Sequence, residues 1–320
     1  MPDYLISVRN IRQGAFGSEP GKTRFVRLPS NQRAHKPEHM ISRSAWVDEV
    51  MGAASCGVDP VTGHPCGDIL VFVHGYNTDL PAVLRRHRLL KKNLASAGFT
   101  GTVVSFDWPS NNIALNYLED RSDARKTSIK LVDDCIRLLT VTQTRGCALN
   151  VHLLAHSTGA YVVREGFDDA DDRRHIAQHN WTASQVVFIA ADVSARSMSS
   201  NDSKSSSLYR HSVRLTNYHN PYDSVLKLSN IKRVGVAPRA GRIGLPQQIP
   251  QKAVGIDCGP HFRQLAPDPR CAGAWDHSWH FHDRGFAADL ACTLRGDIDR
   301  NYVPTRRRGN LGQLELAVDD

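Results

Sequence analysis

The chain has 320 residues, 41% of them hydrophobic and 22% charged, with a formal net charge of +8. That length suits one large α/β domain or two small ones. It contains no run of about 18 apolar residues, so no membrane span is expected. The start, MPDYLISVRNIRQ, lacks a basic segment followed by an apolar one and does not read as a secretory signal.

Residues 1–66 read as an irregular lead-in, with short strands over Tyr4 to Val8 and Arg24 to Leu28 packed on the core. A helix is expected from Ser44 to Ala53, capped by Ser44, with Trp46, Val47, Val50 and Met51 on its apolar face. Ile69 to Val73 is a continuous apolar run, as in a parallel strand covered on both faces. It leads into His74-Gly75-Tyr76-Asn77. Leu80 to Ala97 is helical and basic on one side, with Arg85, Arg86, Arg88, Lys91 and Lys92. Thr102 to Phe106 is the next strand, and Leu115 to Thr144 is mostly helix.

The apolar run Leu149 to Ala155 ends at His156-Ser157, and a helical pattern with Ala160, Val162, Val163 and Phe167 begins at once. Gln185 to Ala191 is a strand ending at Asp192. Ser194 to Ser207 is Ser-rich and reads as a mobile loop near the mouth of a site. The strand Val213 to Tyr218 ends in His219-Asn220-Pro221-Tyr222-Asp223, and a short helix starts at Val225. Val254 to Cys258 is a last strand and Gly285 to Leu294 a last helix. Residues 301–320, with Arg306-Arg307-Arg308, read as a loose tail. Apolar strands alternating with helices predict an α/β fold with a mostly parallel central sheet covered by helices on both faces, over residues 67–300.

Strand, tight turn and helix with a serine at the turn is the layout of a nucleophile elbow. The strained turn needs small residues two before and two after, and Ala155 and Gly159 stand there. The plainer reading is a helix N-cap serine in an ordinary strand-to-helix turn. Serine hydrolysis also needs a base, an acid to hold that base, and donors for the oxyanion. In the α/β-hydrolase arrangement these follow in the order Ser, Asp or Glu, His. Ser157, Asp223 and His277 supply that order. Asp192 is a second candidate acid, and His280 and His282 are further candidate bases. Tyr76 and Thr158 are the expected oxyanion donors through their backbone N–H groups, with Asn77 as an added donor or a loop-ordering residue. His156, beside the serine, reads as a packing residue.

VFVHGYN, LLAHSTGA, NPYDSVLKLS and DHSWHF together resemble the DUF900 group of esterase- or lipase-like α/β hydrolases of unknown function, from about Gly67 to Gly296. The resemblance implies Ser157 as nucleophile, Asp223 as acid and His277 as base, without defining a substrate. The expected activity is cleavage of small carboxylic esters through an acyl-enzyme, with no metal or organic cofactor. An amidase, thioesterase or acyltransferase would use the same residues. A non-catalytic scaffold that binds a partner or a membrane is the other class, supported by the basic helix and the arginine-rich tail. The positive charge also suits anionic substrates or solubility. No RNP, KH or zinc-finger pattern accompanies it, so no nucleic-acid partner is expected.

The seven cysteines include no C-x-x-C. Cys56 and Cys66, and Cys258 and Cys271, flank Pro- or Gly-containing loops and are candidate pairs. Reduced thiols in a cytoplasmic setting are the expectation. A zinc site of Cys56, His64 and Cys66 lacks a fourth ligand and is not expected.

Overall fold

Among the described residues, apolar runs that are buried on both faces make the middle of one twelve-stranded mixed sheet. The computed structural model describes residues 1–58, 61, 63, 65–110, 126–138, 148–178, 181–231, 237–271 and 273–317. The strands are β1 (Asp3–Arg12), β2 (Ala15–Leu28), β3 (Met40–Ile41), β4 (Ser55–Val58), β5 (Pro65–Val73) and β6 (Thr102–Asp107), then β7 (Ala148–His156), β8 (Ala183–Ile189), β9 (Ser212–His219), β10 (Ala253–Asp257), β11 (Arg306–Arg308) and β12 (Leu314–Leu316). Their order is β11-β12-β10-β9-β8-β7-β5-β6-β1-β2-β3, with β4 against β5. From β12 across to β1 every neighbouring pair is parallel. The outer pairs β11–β12, β1–β2 and β2–β3 are antiparallel.

Alternation along β5 assigns its side chains to two apolar layers. Ile69, Val71 and Val73 join Trp46, Val50, Leu131, Val163 and Phe167 on one face. These come from helices α1 (Arg43–Ala54), α3 (residues 126–138) and α4 (Thr158–Asp171). Leu70 and Phe72 join Leu90, Leu94, Phe281, Phe286 and Leu290 on the other face, supplied largely by α2 (Leu80–Ser96) and the last helix, α7 (Arg284–Arg295). The α/β-hydrolase sheet with helices on both faces is thus present, and it explains why β5 has no polar side.

Several local expectations change. Helix α1 is capped two residues earlier, by Ser42, whose Oγ accepts the Ala45 N–H at 3.2 Å. The first two strands are longer than their apolar runs, and β1 is an inner strand paired in parallel with β6. Of the long helix expected over Leu115 to Thr144, residues 126–138 are described and helical, wound as a π-helix over Val132–Ile136; the remainder lies outside the described residues.

The Ser-rich segment is not a loop. It forms a turn at Arg196–Met198 and helix α5 (Ser203–Arg210), with Ser205, Ser207, Leu208 and Tyr209 buried. Its hydroxyls donate to main-chain carbonyls: Ser205 to Ser197 O at 2.5 Å, Ser207 to Phe167 O in α4, and the Tyr209 phenol to Met198 O at 2.6 Å. A serine whose hydroxyl has a carbonyl partner can be buried like a small apolar residue, so composition alone misleads here.

The tail is not loose either. Arg306 is fully buried, with its guanidinium 2.6 Å from the equally buried Asp289 of α7 and 3.1 Å from the Tyr218 phenol. Thr305 donates to the same carboxylate at 2.5 Å, and β12 pairs with β10 while Leu314 and Leu316 enter the core. A run of three arginines reads as solvated, but Asp289 faces inward and needs a counter-charge. Arg306→Ala should therefore lower the unfolding free energy by about 3–5 kcal/mol, the cost of leaving one buried charge alone. Urea denaturation measures it. A loss below about 1 kcal/mol, typical of an exposed pair, would show that the tail is not anchored this way.

Candidate functional site

The site begins with sheet register. Val73 lies opposite Ala155, and His156 opposite Ile189, so β5, β7 and β8 end level with one another. The residues that follow those ends are therefore neighbours. Ser157 has φ 57° and ψ −124°, a strained backbone for a residue with a side chain. It is held by three backbone hydrogen bonds: its N–H donates to Ile189 O at 3.1 Å, and its carbonyl accepts from Asp192 N at 3.0 Å and Ala160 N at 3.1 Å. Helix α4 starts at the next residue, so the Thr158 N–H is one of the helix-start donors without an intrahelical partner.

Two glycines permit the close approach. A Cβ on Gly159 would lie 2.4 Å from the Val73 carbonyl, so α4 can start against the end of β5 only with glycine there. A Cβ on Gly75 would lie 2.7 Å from Ser157 Cβ, which brings the His74–Asn77 segment directly beside the serine. Tyr76 is half-buried on that segment, and exposed Asn77 turns the chain with φ 50°.

The segment is fixed from below by buried polar groups. The Trp108 indole donates to His74 O at 2.7 Å, and its backbone N–H to His74 Nε2 at 3.2 Å. Thr78 Oγ1 donates to Gly75 O at 3.0 Å, and Arg9 Nη2 to Thr78 O at 3.3 Å. Asp107 sits at the centre, fully buried, 2.8 Å from Arg9 Nε and 2.8 Å from His35 Nε2. Burial opposes its charge, but Arg9, then His35 and His74, outweigh it and hold the carboxyl well below its ordinary range. For His74 burial dominates and favours the neutral ring, which agrees with its Nε2 accepting from Trp108. Sequence reasoning missed Arg9, His35 and Asp107. Asp107 at a strand end was visible, but its partners come from elements 98 and 72 residues away.

Asp223 follows β9. Its Oδ1 accepts the Leu226 N–H at 2.8 Å, capping helix α6 (Ser224–Ile231), and its Oδ2 lies 2.7 Å from His277 Nδ1. The cap leaves the carboxylate one orientation, and the helix start favours its negative charge. The two loops are tied again by Ser224 N–H to Asp276 Oδ2 at 2.8 Å and Asn220 Nδ2 to Asp276 O at 3.0 Å. His277 is brought to the serine turn through His156. The His156 Nε2–H donates to His277 O at 3.0 Å, and the two ring centroids are 4.8 Å apart. His156 thus packs and positions, as expected, and burial keeps it neutral.

The other candidates stand elsewhere. The Asp192 carboxylate is 2.9 Å from Arg239 Nε, while its backbone supports Ser157. His280 is buried with neither ring nitrogen hydrogen-bonded, stacked on Trp279 at 4.1 Å, and burial pushes its pKa well below the ordinary range. His282 Nδ1 lies 3.1 Å from Asp268. Cys56 and Cys66 are not joined by a disulfide, their Sγ atoms lying 4.0 Å apart, and Cys258 and Cys271 are free. His64 and Cys147 lie outside the described residues. Among the described residues no three His, Cys, Asp or Glu side chains converge as a metal site, and no helix is long and apolar enough to cross a membrane.

The parallel sheet with helices on both faces, and a serine turn at the end of its central strand, define an α/β hydrolase. The chain belongs to the family described as alpha/beta hydrolase of unknown function (DUF900), whose profile matches residues 59–256. Among solved structures, the chain is similar to TT1662 from Thermus thermophilus, at 12% identity and TM-score 0.41, over 73% of this chain and 94% of that one. It is also similar to a Trichoderma reesei cutinase in complex with a phosphonate inhibitor, at 14% identity and TM-score 0.32, over 79% and 89%. The phospholipase PlaB from Legionella pneumophila is similar at 17% identity and TM-score 0.26, over 41% and 26%. A search of curated protein sequences gives no match.

Two outcomes test this geometry. Gly159→Ala should cost about 1–3 kcal/mol of stability, because its methyl group overpacks the β5–α4 junction; an unchanged melting temperature would contradict that contact. His280 is buried neutral, with a folded pKa below the unfolded value of about 6.5. Above that value neither state binds the proton. Below it the unfolded chain does and the folded one does not, so stability falls as pH drops, by up to about 1.4 kcal/mol per pH unit from this ring. Urea titrations between pH 7 and 5 should show a shallower fall in His280→Leu than in the wild type. Parallel curves would refute the assignment.

Proposed function

We propose that the protein is a serine hydrolase of carboxylic esters that works through an acyl-enzyme. The observation that carries this reading is the Asp223–His277 pair at 2.7 Å beside the serine turn. His277 Nδ1–H donates to the carboxylate, which leaves Nε2 as the lone-pair nitrogen of the neutral ring. In the reaction Nε2 takes the Ser157 proton as Oγ attacks the ester carbonyl. The tetrahedral oxyanion receives the N–H groups of Thr158 and Tyr76. His277, now cationic and stabilised by Asp223, gives its proton to the leaving alkoxide, and the acyl-enzyme forms. Water repeats the sequence and releases the acid. Asp223 is the acid in this reading and Asp192 is a structural residue, because Asp192 faces Arg239 instead of an imidazole.

A fluorophosphonate probe followed by peptide mapping should label Ser157. Ser157→Ala should lose roughly 10³-fold or more in turnover of an activated short-chain ester, with an unchanged melting temperature. Asp223→Asn should lose about 10⁴-fold by favouring the wrong histidine tautomer, and Asp192→Asn should act mainly on stability. Full turnover by Ser157→Ala, or labelling at another residue, would end the proposal.

A further inference from the structure

His74 is fully buried, and both of its ring nitrogens are engaged. The Trp108 backbone N–H donates to Nε2 at 3.2 Å, so Nε2 supplies a lone pair. Nδ1 lies 2.9 Å from the Gly75 carbonyl oxygen, which is an acceptor, so Nδ1 carries the hydrogen. The two contacts specify the neutral Nδ1–H tautomer, and burial, which favours the uncharged ring, agrees with it. Asp107 is the group that could draw the proton to the other nitrogen, since its Oδ1 stands 3.4 Å from Nε2. That oxygen already accepts from Arg9 Nε at 2.8 Å, and Oδ2 is met by the Ser7 hydroxyl and His35 Nε2 at 2.8 Å each. The carboxylate is thus satisfied without His74. Arg9 and His35, which satisfy it, precede the residues 59–256 that the family profile matches.

The Gly75 carbonyl takes a second hydrogen bond, from Thr78 Oγ1 at 3.0 Å. Gly75 O and the Tyr76 N–H belong to one trans peptide, whose C=O and N–H point in opposite directions. Holding the oxygen toward the His74 ring and Thr78 therefore holds that N–H on the opposite side. The peptide stands beside the serine turn: a Cβ on Gly75 would lie 2.7 Å from Ser157 Cβ and 3.0 Å from His156 O. The ring cannot turn freely, because it stacks on Trp108 with centroids 5.5 Å apart and planes 9° apart, and the Trp108 indole donates to His74 O at 2.7 Å. A buried histidine commonly does no more than satisfy its own nitrogens. His74 differs in that its donor ends on the peptide that carries the Tyr76 N–H.

We propose that His74 is a positioning residue for the ester hydrolysis: its Nδ1–H fixes the Gly75–Tyr76 peptide in the orientation that presents the Tyr76 N–H to the oxyanion, and Arg9 and His35, by satisfying Asp107, keep the ring in that tautomer. The inference rests on the hydrolase reading above and adds what sets one of its oxyanion donors. His74 moves no proton and touches no reacting atom. A donor already aimed needs no reorganisation when charge develops on the substrate oxygen. The flipped peptide would face that oxygen with a carbonyl, whose partial charge repels it.

Two measurements test it. The first reads the tautomer directly, by nitrogen NMR of protein carrying isotope-labelled histidine near neutral pH, with His74→Asn identifying the His74 resonances. Nδ1 should be protonated and Nε2 unprotonated; the reverse overturns the proposal. The second is turnover of 4-nitrophenyl butyrate. His74→Leu should lower kcat and kcat/KM together by about 10–10²-fold with KM unchanged, the pattern of an interaction made only in the transition state. That loss is smaller than the roughly 10²–10³-fold that removing an oxyanion donor costs. His74→Asn, whose side-chain amide can put an N–H in the place of Nδ1, should recover most of the loss. Equal kcat in His74→Leu and His74→Asn, or a change confined to KM, overturns the proposal. Should His74→Leu not fold, the tautomer of the wild type still decides. A reversed tautomer removes this inference and leaves Ser157 as nucleophile, whereas full turnover by Ser157→Ala removes the hydrolase reading and this inference with it.

Discussion

A serine held at φ 57° is the constraint around which the site is arranged. Such a conformation costs about 1–3 kcal/mol and persists only where its surroundings over-determine it. Here the determination comes from the sheet. The level ends of β5, β7 and β8 give Ser157 backbone partners from β8 and from the turn after it, and put Gly75 and Gly159 where any side chain would collide. The parallel core, buried on both faces, thus supplies the rigidity that a strained turn requires. The turn in turn sets Ser157 at the edge where the loops meet.

Buried charge does the rest of the positioning. Asp107 gathers Arg9, His35 and His74 from three separate segments and fixes the loop that carries Tyr76. Asp223 divides its two oxygens between a helix cap and His277, so that helix formation and histidine orientation depend on the same carboxylate. Asp289 takes Arg306, Thr305 and Tyr218, and fastens the end of the chain to the last helix. Each carboxylate is desolvated and would be expensive alone. Each therefore holds its partners in a fixed geometry, and two of the three lie at the carboxyl ends of strands, where the site is built.

The basic surface shows why charge counts are poor guides to partners. Of the arginines and lysines on α2, Arg88 and Lys91 are spent on Asp3, and of the three in the tail Arg306 is buried.

The apolar runs were enough to give the α/β class, the covered sheet and the positions of β5, β7 and β8, because a strand buried on both faces is largely apolar. The spacing Ala155-x-Ser157-x-Gly159 likewise marked the turn, since small residues are needed where backbones touch. The residues by themselves left the acid and the base open, and only the family resemblance pointed to Asp223 and His277. Asp192 and Asp223 both follow strands, and His277, His280 and His282 share one loop; their pairing depends on side-chain direction at distances of a few ångströms, which no local pattern encodes. The Ser-rich helix and the buried tail were misread for a related reason. Serine and arginine look solvent-loving in sequence, and only the tertiary structure supplies the Phe167 carbonyl and the Asp289 carboxylate that let them be buried.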